Sequence, residues 1–318
     1  MTMRRDRIFA IALITLCLIS AFGNWLGGSL NSSSSGLSNA LPAEVAVFDI
    51  YGGISDSAPS GPFGSSSGVS SNAVIAGIRE AREDGVKAIL LRINSPGGTA
   101  AASQAIYDEL MRARKETDIK IVATLGDVAA SGGYFVASAA DHIVANPTTV
   151  TGSIGVIIRT QNLSSLLDKV GVENKTFQSG QYKDILSPYR DPKPGETEIL
   201  QGIVTESYEQ FLKSIVEGRQ MPLEKLKPLA DGRIFTGIQA QKVGLADSLG
   251  NYADALNKVA KLAKIKGEPR VKPYGKGSGV LQQLLSNSLS TSLEQWIPGY
   301  QQQAQFARWQ KVPLALME

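Results

Sequence analysis

In the run DVAASGGYFVASAADHI (127–143), Ser131 stands between a strand-like stretch and a helix-like stretch and is followed at once by Gly132 and Gly133. A helix start offers free N–H groups and a favourable dipole, which suits a nucleophile whose attack creates an oxyanion close by. Serine at such a position also serves as a plain helix N-cap, and the residues alone leave both uses open. A serine nucleophile needs a proton acceptor within about 3 Å. His142 is the only histidine in the chain. If residues 131 to 141 form one helix, His142 lies ~16 Å away at 1.5 Å per residue. Asp141 does not help it, because neighbours on a strand point to opposite faces. On that helix, a Ser-His-Asp triad within one chain is excluded. The recognised alternative is a desolvated lysine, whose ammonium form burial disfavours so that it takes a proton near neutrality. Lys183 in SGQYKDILSP (179–188) is the candidate, in a glycine-bracketed segment with Tyr182, Ile185 and Leu186 as prospective apolar walls. A solvated surface lysine is the competing reading, and spacing does not choose between them. Asp184 beside it would favour the ammonium form, and it is expected to face away.

Groups of this kind work only when a rigid scaffold sets them, and the body of the chain reads as one. VAVFDI (45–50) is a β-rich run, and VKAILLRI (86–93) and IKIVATL (119–125) are nearly continuous apolar runs, as expected of strands covered on both faces. HIVAN and GSIGVII read as two further short strands. Between them lie helical patterns: 71–85 with Val74, Ile75, Ile78 and Ala81 on one face, and 100–117 with Ala102, Ile106, Leu110 and Ala113 in line. The segment after Ser131 is predicted helical to about Ala140, 195–219 helical with Ile199, Ile203, Phe211 and Ile215 inward, and 252–263 as a last helix. The βαβα order with glycine-bearing strand ends predicts an α/β fold with its sites at the carboxyl ends of the strands.

The flanks differ. Arg4, Arg5 and Arg7 precede an uncharged run from Ile8 to about Leu26, close to the ~20 residues that span a bilayer, with the basic end expected in the cytoplasm. A cleaved signal peptide is the alternative, though Phe22 and Asn24 interrupt the small residues a cleavage site needs, and Leu16 before Cys17 does not suit lipoprotein processing. The expected organisation is a cytoplasmic end and anchor at 1–27, a Gly/Ser/Asn linker at 28–43, an extracytoplasmic domain at 44–265 and a partly helical tail at 266–318. The stretch 55–71 reads as a flexible surface loop, and the closing VPLALME as a segment able to visit a groove. With 32 Lys+Arg against 29 Asp+Glu and no basic block, nucleic acid is not an expected partner. A single cysteine excludes an intrachain disulfide and a cysteine metal cage, and neither a metal nor a cofactor is expected.

Four separated segments, INSPGG (93–98), DVAASGGYFVASAADHIVANPTTVTGSIGVI (127–157), SGQYKDILSP (179–188) and LADGRIFTGIQAQKVGLADSLG (229–250), together resemble the signal peptide peptidase A family of S49 peptidases in the Clp-protease/crotonase superfamily. The resemblance covers about residues 44 to 262 and is to the short, single-repeat form. His142 departs from it, standing where a lysine is often found. It implies a fold of repeated ββα units and a Ser/Lys dyad: Ser131 as nucleophile, Lys183 as general base, Ser153 orienting the lysine, and the N–H groups of Gly98 and Gly132 as oxyanion hole. It further implies signal-peptide substrates at the membrane and a homo-oligomeric ring, with Lys183 acting within its own chain or on a neighbour. The rival readings are a sister S49 membrane peptidase cutting specific membrane proteins, which shares every residue named here, acyl-CoA chemistry on the same scaffold, and a non-catalytic membrane-tethered scaffold.

Overall fold

The apolar runs become strands of one sheet because each buries side chains on both faces. The computed structural model describes residues 42–57 and 68–275. The anchor expected at 8–26, nearly all of the linker at 28–43, most of the loop at 55–71 and the tail from 277 lie outside those residues. Among the described residues no helix is long and apolar enough to cross a membrane.

Strands β1 (Val45–Tyr51), β4 (Ala88–Ser95) and β5 (Lys120–Ala130) pair in parallel at the centre. β10 (Val271–Tyr274) lies outside β1, and β6 (His142–Ala145) and β9 (Ser248–Leu249) continue the sheet beyond β5. Side chains alternate as the pleat requires. Ala46, Phe48, Ile89, Leu91, Ile121 and Ala123 join the cluster formed with α1 (Ser71–Glu83), α2 (Ala100–Glu116) and α3 (Gly132–Ala137). Val45, Val47, Leu90 and Val122 join the opposite cluster with Ala255 and Val259 of α8 (Tyr252–Leu262). The result is a mixed α/β architecture on a parallel sheet, consistent with the Clp-protease/crotonase-like fold. A separate two-stranded sheet, β2 (Gly53–Ser55) with β3 (Gly68–Ser70), follows β1.

One irregularity sets up the site. β4 and β5 run in register to Ile93 and Leu125, but Ser95 then pairs with Ala129, so β5 carries extra residues there. Asn94 Oδ1 accepts the Val128 N–H at 3.0 Å and holds the bulge. Before it, β5 pairs with β6; after it, β5 pairs with β7 (Val150–Gly152). The strand end thus changes partner at the point where the sheet opens, the place where α/β sheets hold ligands. β8 (Ile234–Thr236) completes the edge, antiparallel to β7, and leads into α7 (Gly237–Val243).

Several expectations need correction. The helix after Ser131 ends at Ala137 and not near Ala140, giving way to turns before β6. The run GSIGVII is not a strand: pairing ends at Gly152, because Gly152 and Ser153 take the left-handed φ values 80° and 50° and break the ladder. A short helix, α4 (Ser164–Val170), lies beyond. The long helix α5 (Glu196–Arg219) buries Phe211 and Ile215 as expected, but Ile199 and Ile203 are 40% and 49% exposed. Only its C-terminal half docks on the core, where Tyr107 Oη donates to the Ser214 carbonyl at 2.7 Å and Phe211 stacks on Phe135.

Candidate active site

Ser131 is the first residue beyond β5, and its backbone is strained: φ is 53° and ψ −121°. A serine in that region costs conformational energy, and such strand-to-helix turns occur where a nucleophile must stand clear of the sheet. The turn is held from both sides, by the Ser131 N–H on the Gly152 carbonyl at 2.9 Å and by the Phe135 N–H on the Ser131 carbonyl at 2.9 Å. The Ser131 side chain caps no helix N–H. The plain N-cap use left open by the sequence is therefore not what this serine does.

The glycines around it serve close approach. The SPGG turn is tied down by Ser95, fully buried, whose hydroxyl donates to the Gly52 carbonyl at 2.6 Å and accepts the Gly97 N–H at 3.1 Å. The Ile54 N–H on the Gly97 carbonyl (3.0 Å) and the Thr99 N–H on the Ile54 carbonyl (2.9 Å) fix Gly98 against β2. A Cβ on Gly98 would stand 1.9 Å from the Ile54 oxygen, and one on Gly132 would stand 2.3 Å from Ser103 Oγ and 3.1 Å from the Gly98 nitrogen. Gly98 and Gly132 are thus neighbours, and neither N–H is used by a described residue. Two unclaimed N–H groups beside a strained serine can hold an oxyanion. Sequence reasoning named both glycines but missed Ser95, whose buried hydroxyl pins the turn, and Ser103, whose Oγ donates to the Thr99 carbonyl at 3.0 Å and fills the space beside Gly132.

Ser153 comes next. Ala130 pairs with Gly152 across β5 and β7, and the Ser131 N–H donates to the Gly152 carbonyl at 2.9 Å, so Ser131 and Ser153 each directly follow the last pair of two adjacent strands. Thr151 Oγ1 staples the two strands by donating to the Ala129 carbonyl at 2.6 Å. A cavity of about 340 Å³ opens over Ser131, Gly98 and Gly132, walled by Phe135, Val156, Ile157, Ile203 and Phe211. Those walls are apolar, which explains why Ile203 stays out of the core.

Lys183 is absent from that wall. It is exposed, in the turns of 180–188, and its Nζ makes no hydrogen bond or ion pair among the described residues. Asp184 does face away: Arg190 and Lys193 hold its carboxylate at 2.6 and 2.7 Å. His142 lies far off. It pairs with Val122 at the opposite end of β5, about 25 Å of strand from Ser131, and its Nε2 meets Ser248 Oγ at 2.9 Å. Burial lowers its pKa. The exclusion of a histidine triad holds, although for a different geometric reason than one continuous helix.

Residues 113–266 match Peptidase family S49, and residues 65–150 match Clp protease. The chain is 43% identical over 235 residues to a Synechocystis sp. protein with a protease name, a match covering 70% of this chain and 84% of that protein. The chain belongs to peptidase family S49. It is also 38% identical to an Enterococcus faecium protein named for signal peptide peptidase SppA, across 67% of this chain and 62% of that one. A chloroplastic serine protease SPPA of Arabidopsis thaliana is 38% identical, across 57% of this chain and 26% of that one. This S49 member is a serine peptidase of the SppA type, which sets aside thioester chemistry and a non-catalytic scaffold. Among the described residues no His/Cys/Asp/Glu group is arranged to hold a metal ion.

Proposed function

We propose that the chain is a membrane-anchored serine endopeptidase in which Ser131 is the nucleophile and Lys183, supplied by a neighbouring copy, is the general base. The observation that carries this is the strained Ser131 beside the two unclaimed N–H groups of Gly98 and Gly132, at the mouth of an apolar cavity. Ser131 Oγ bonds to the scissile carbonyl carbon and its proton passes to neutral Lys183 Nζ. The carbonyl electron pair moves to the oxygen, where the Gly98 and Gly132 N–H groups hold it. Collapse breaks the C–N bond, and Lys183 returns the proton to the leaving amine. Water, deprotonated by the same lysine, then attacks the acyl carbon, the C–Oγ bond breaks, and the lysine returns the proton to Ser131 Oγ. Ser153, one strand over, orients the lysine by hydrogen bond.

Three features support a shared site. Among the described residues Lys183 is exposed, its Nζ has no hydrogen-bond or ion-pair partner, and it does not line the cavity. The segment that carries Lys183, from the end of β7 to α5, presents large apolar side chains to solvent, with Phe177 95% and the cavity-wall residue Ile157 77% exposed; exposed apolar surface of this kind marks protein contacts. In a homo-oligomeric ring each copy would bury this surface and deliver its lysine to the next. The apolar walls suit extended peptides with small or apolar side chains, and cleaved signal peptides left at the membrane are the substrates we infer. The test is hydrolysis of a fluorogenic peptide by the detergent-solubilised full chain, beside labelling with a fluorophosphonate. Ser131→Ala should abolish both while the assembly persists, and Lys183→Ala should abolish hydrolysis. Full hydrolysis in either variant would remove that residue from its role.

A further inference from the structure

Asp184 follows the proposed base directly in sequence, and a carboxylate within ~4–6 Å of a lysine favours the ammonium, by roughly one to three units of titration. A base that must be neutral cannot tolerate such a neighbour. The fold turns that carboxylate away and occupies it completely. Arg190 Nε donates to Asp184 Oδ2 at 2.6 Å, and Lys193 Nζ donates to Oδ1 at 2.7 Å. Arg190 Nη2 also donates to the Asp184 carbonyl at 3.1 Å, and Lys193 Nζ to the Gln181 carbonyl at 3.0 Å. Both residues are anchored to Glu196 at the start of α5, Arg190 through its guanidinium and Lys193 through its backbone N–H. Arg190 reaches its carboxylate with both terminal nitrogens, at 2.6 and 3.0 Å, and the Lys193 N–H reaches it at 2.8 Å. The Glu196 side chain is only 3% exposed, so the anchor is part of the packed structure. Two cations and two carboxylates balance, and Lys183 stands outside the group with no ionisable partner among the described residues. The Asp184 carboxyl is accordingly held far below the ordinary range, first by Arg190 and then by Lys193, with the Gln178 side chain adding to them.

We propose that Arg190 and Lys193 are positioning residues for catalysis: by taking both oxygens of Asp184 they keep it off Lys183, leaving the lysine free to act as a neutral base. This rests on the reading of Lys183 as that base. The ionisable groups that follow the lysine, Asp184 in its own turn, Arg190 and Lys193 before α5 and Glu196 at its start, are all tied to one another, and in the proposed shared site the lysine meets the Ser131 and Ser153 hydroxyls. A purely structural role for the cluster would lower activity equally at every pH, whereas the proposed role is specific to pH.

The experiment is the pH profile of kcat/KM for the assembled full chain on a fluorogenic peptide. Lys193→Gln removes one cation and leaves the Arg190–Glu196 pair intact; Arg190→Gln removes the other. Both should move the acidic limb to higher pH, by on the order of one unit, with activity on the limb down about tenfold and the high-pH plateau kept. Adding Asp184→Asn to either variant should return the limb to its original place. An unmoved limb in assembled Lys193→Gln overturns the proposal, whether or not Arg190→Gln assembles, and so does a limb that Asp184→Asn fails to restore. Lys183→Ala separates the two levels. If that variant keeps its activity, the base assignment falls and the inference with it; if it is inactive and the limb stays put, the inference alone falls.

Discussion

Gly98→Ala tests the oxyanion hole with the smallest possible change. The added Cβ would lie 1.9 Å from the Ile54 oxygen and 2.5 Å from the Ile54 nitrogen. Both are backbone atoms in a paired strand, so no side chain can swing aside. Carbon and oxygen need about 3.5 Å, so the turn must retreat by roughly 1.5 Å. Oxyanion donors work within about 2.7–3.1 Å, so a shift of that size removes the Gly98 N–H from the hole and should cost ~3 kcal/mol, or 10²–10³ in kcat. The Ile54 N–H to Gly97 and Thr99 N–H to Ile54 hydrogen bonds go with it. At about 1 kcal/mol each they predict a loss of about 2 kcal/mol in stability, small enough for the variant to remain folded. Steady-state hydrolysis beside a denaturant titration gives both quantities. The account expects kcat to fall by two orders of magnitude or more with KM little changed. A folded Gly98→Ala enzyme within tenfold of wild-type kcat would refute the assignment of this N–H.

Gly132→Ala should be equally damaging, but its clash is with Ser103 Oγ at 2.3 Å, a side-chain atom; Ser103→Gly in the same chain should therefore restore a measurable part of kcat, where no second substitution rescues Gly98→Ala. His142→Gln should leave kcat/KM unchanged. Burial lowers the folded pKa of His142, so the unfolded chain binds the proton first and wild type loses stability as pH falls below about 6.5; thermal melts of the variant should lack that contribution, and a matching acid loss would contradict it. Phe211→Ala removes a ring that is 3% exposed and stacked 4.5 Å from Phe135. It should cost about 3–5 kcal/mol and, by widening the cavity, shift relative kcat/KM toward peptides with larger side chains at the cleaved bond, read by comparing paired substrates.

The scaffold was legible because periodicity reports burial. Ala102, Ile106, Leu110 and Ala113 of α2 are all buried, as their spacing requires, and the continuous runs of β4 and β5 became central strands. Periodicity does not say what covers a face. Ile199 and Ile203 fit the inward stripe of α5, yet they lie on the half that leaves the core, one of them beside the cavity. The left-handed backbones of Ser131 and Ser153 had no local signal either, since a serine takes such φ values only when the surrounding packing imposes them. Their imposition by the β5–β7 pairing also ended the strand expected in GSIGVII. Ser131, Gly98 and Gly132 were readable as types in a motif, but Ser95, which pins the turn, acts through one buried hydroxyl that spacing does not reveal.

The claim on which the account turns is a site divided between copies, serine from one and lysine from another. Ser131→Ala and Lys183→Ala chains, each inactive alone, can be co-assembled in equal amounts and assayed on the same peptide. Random pairing of neighbours predicts that about one site in four regains both groups, so activity should return to about a quarter of wild type. Mixed assemblies that form but stay as inactive as either parent would contradict the shared dyad.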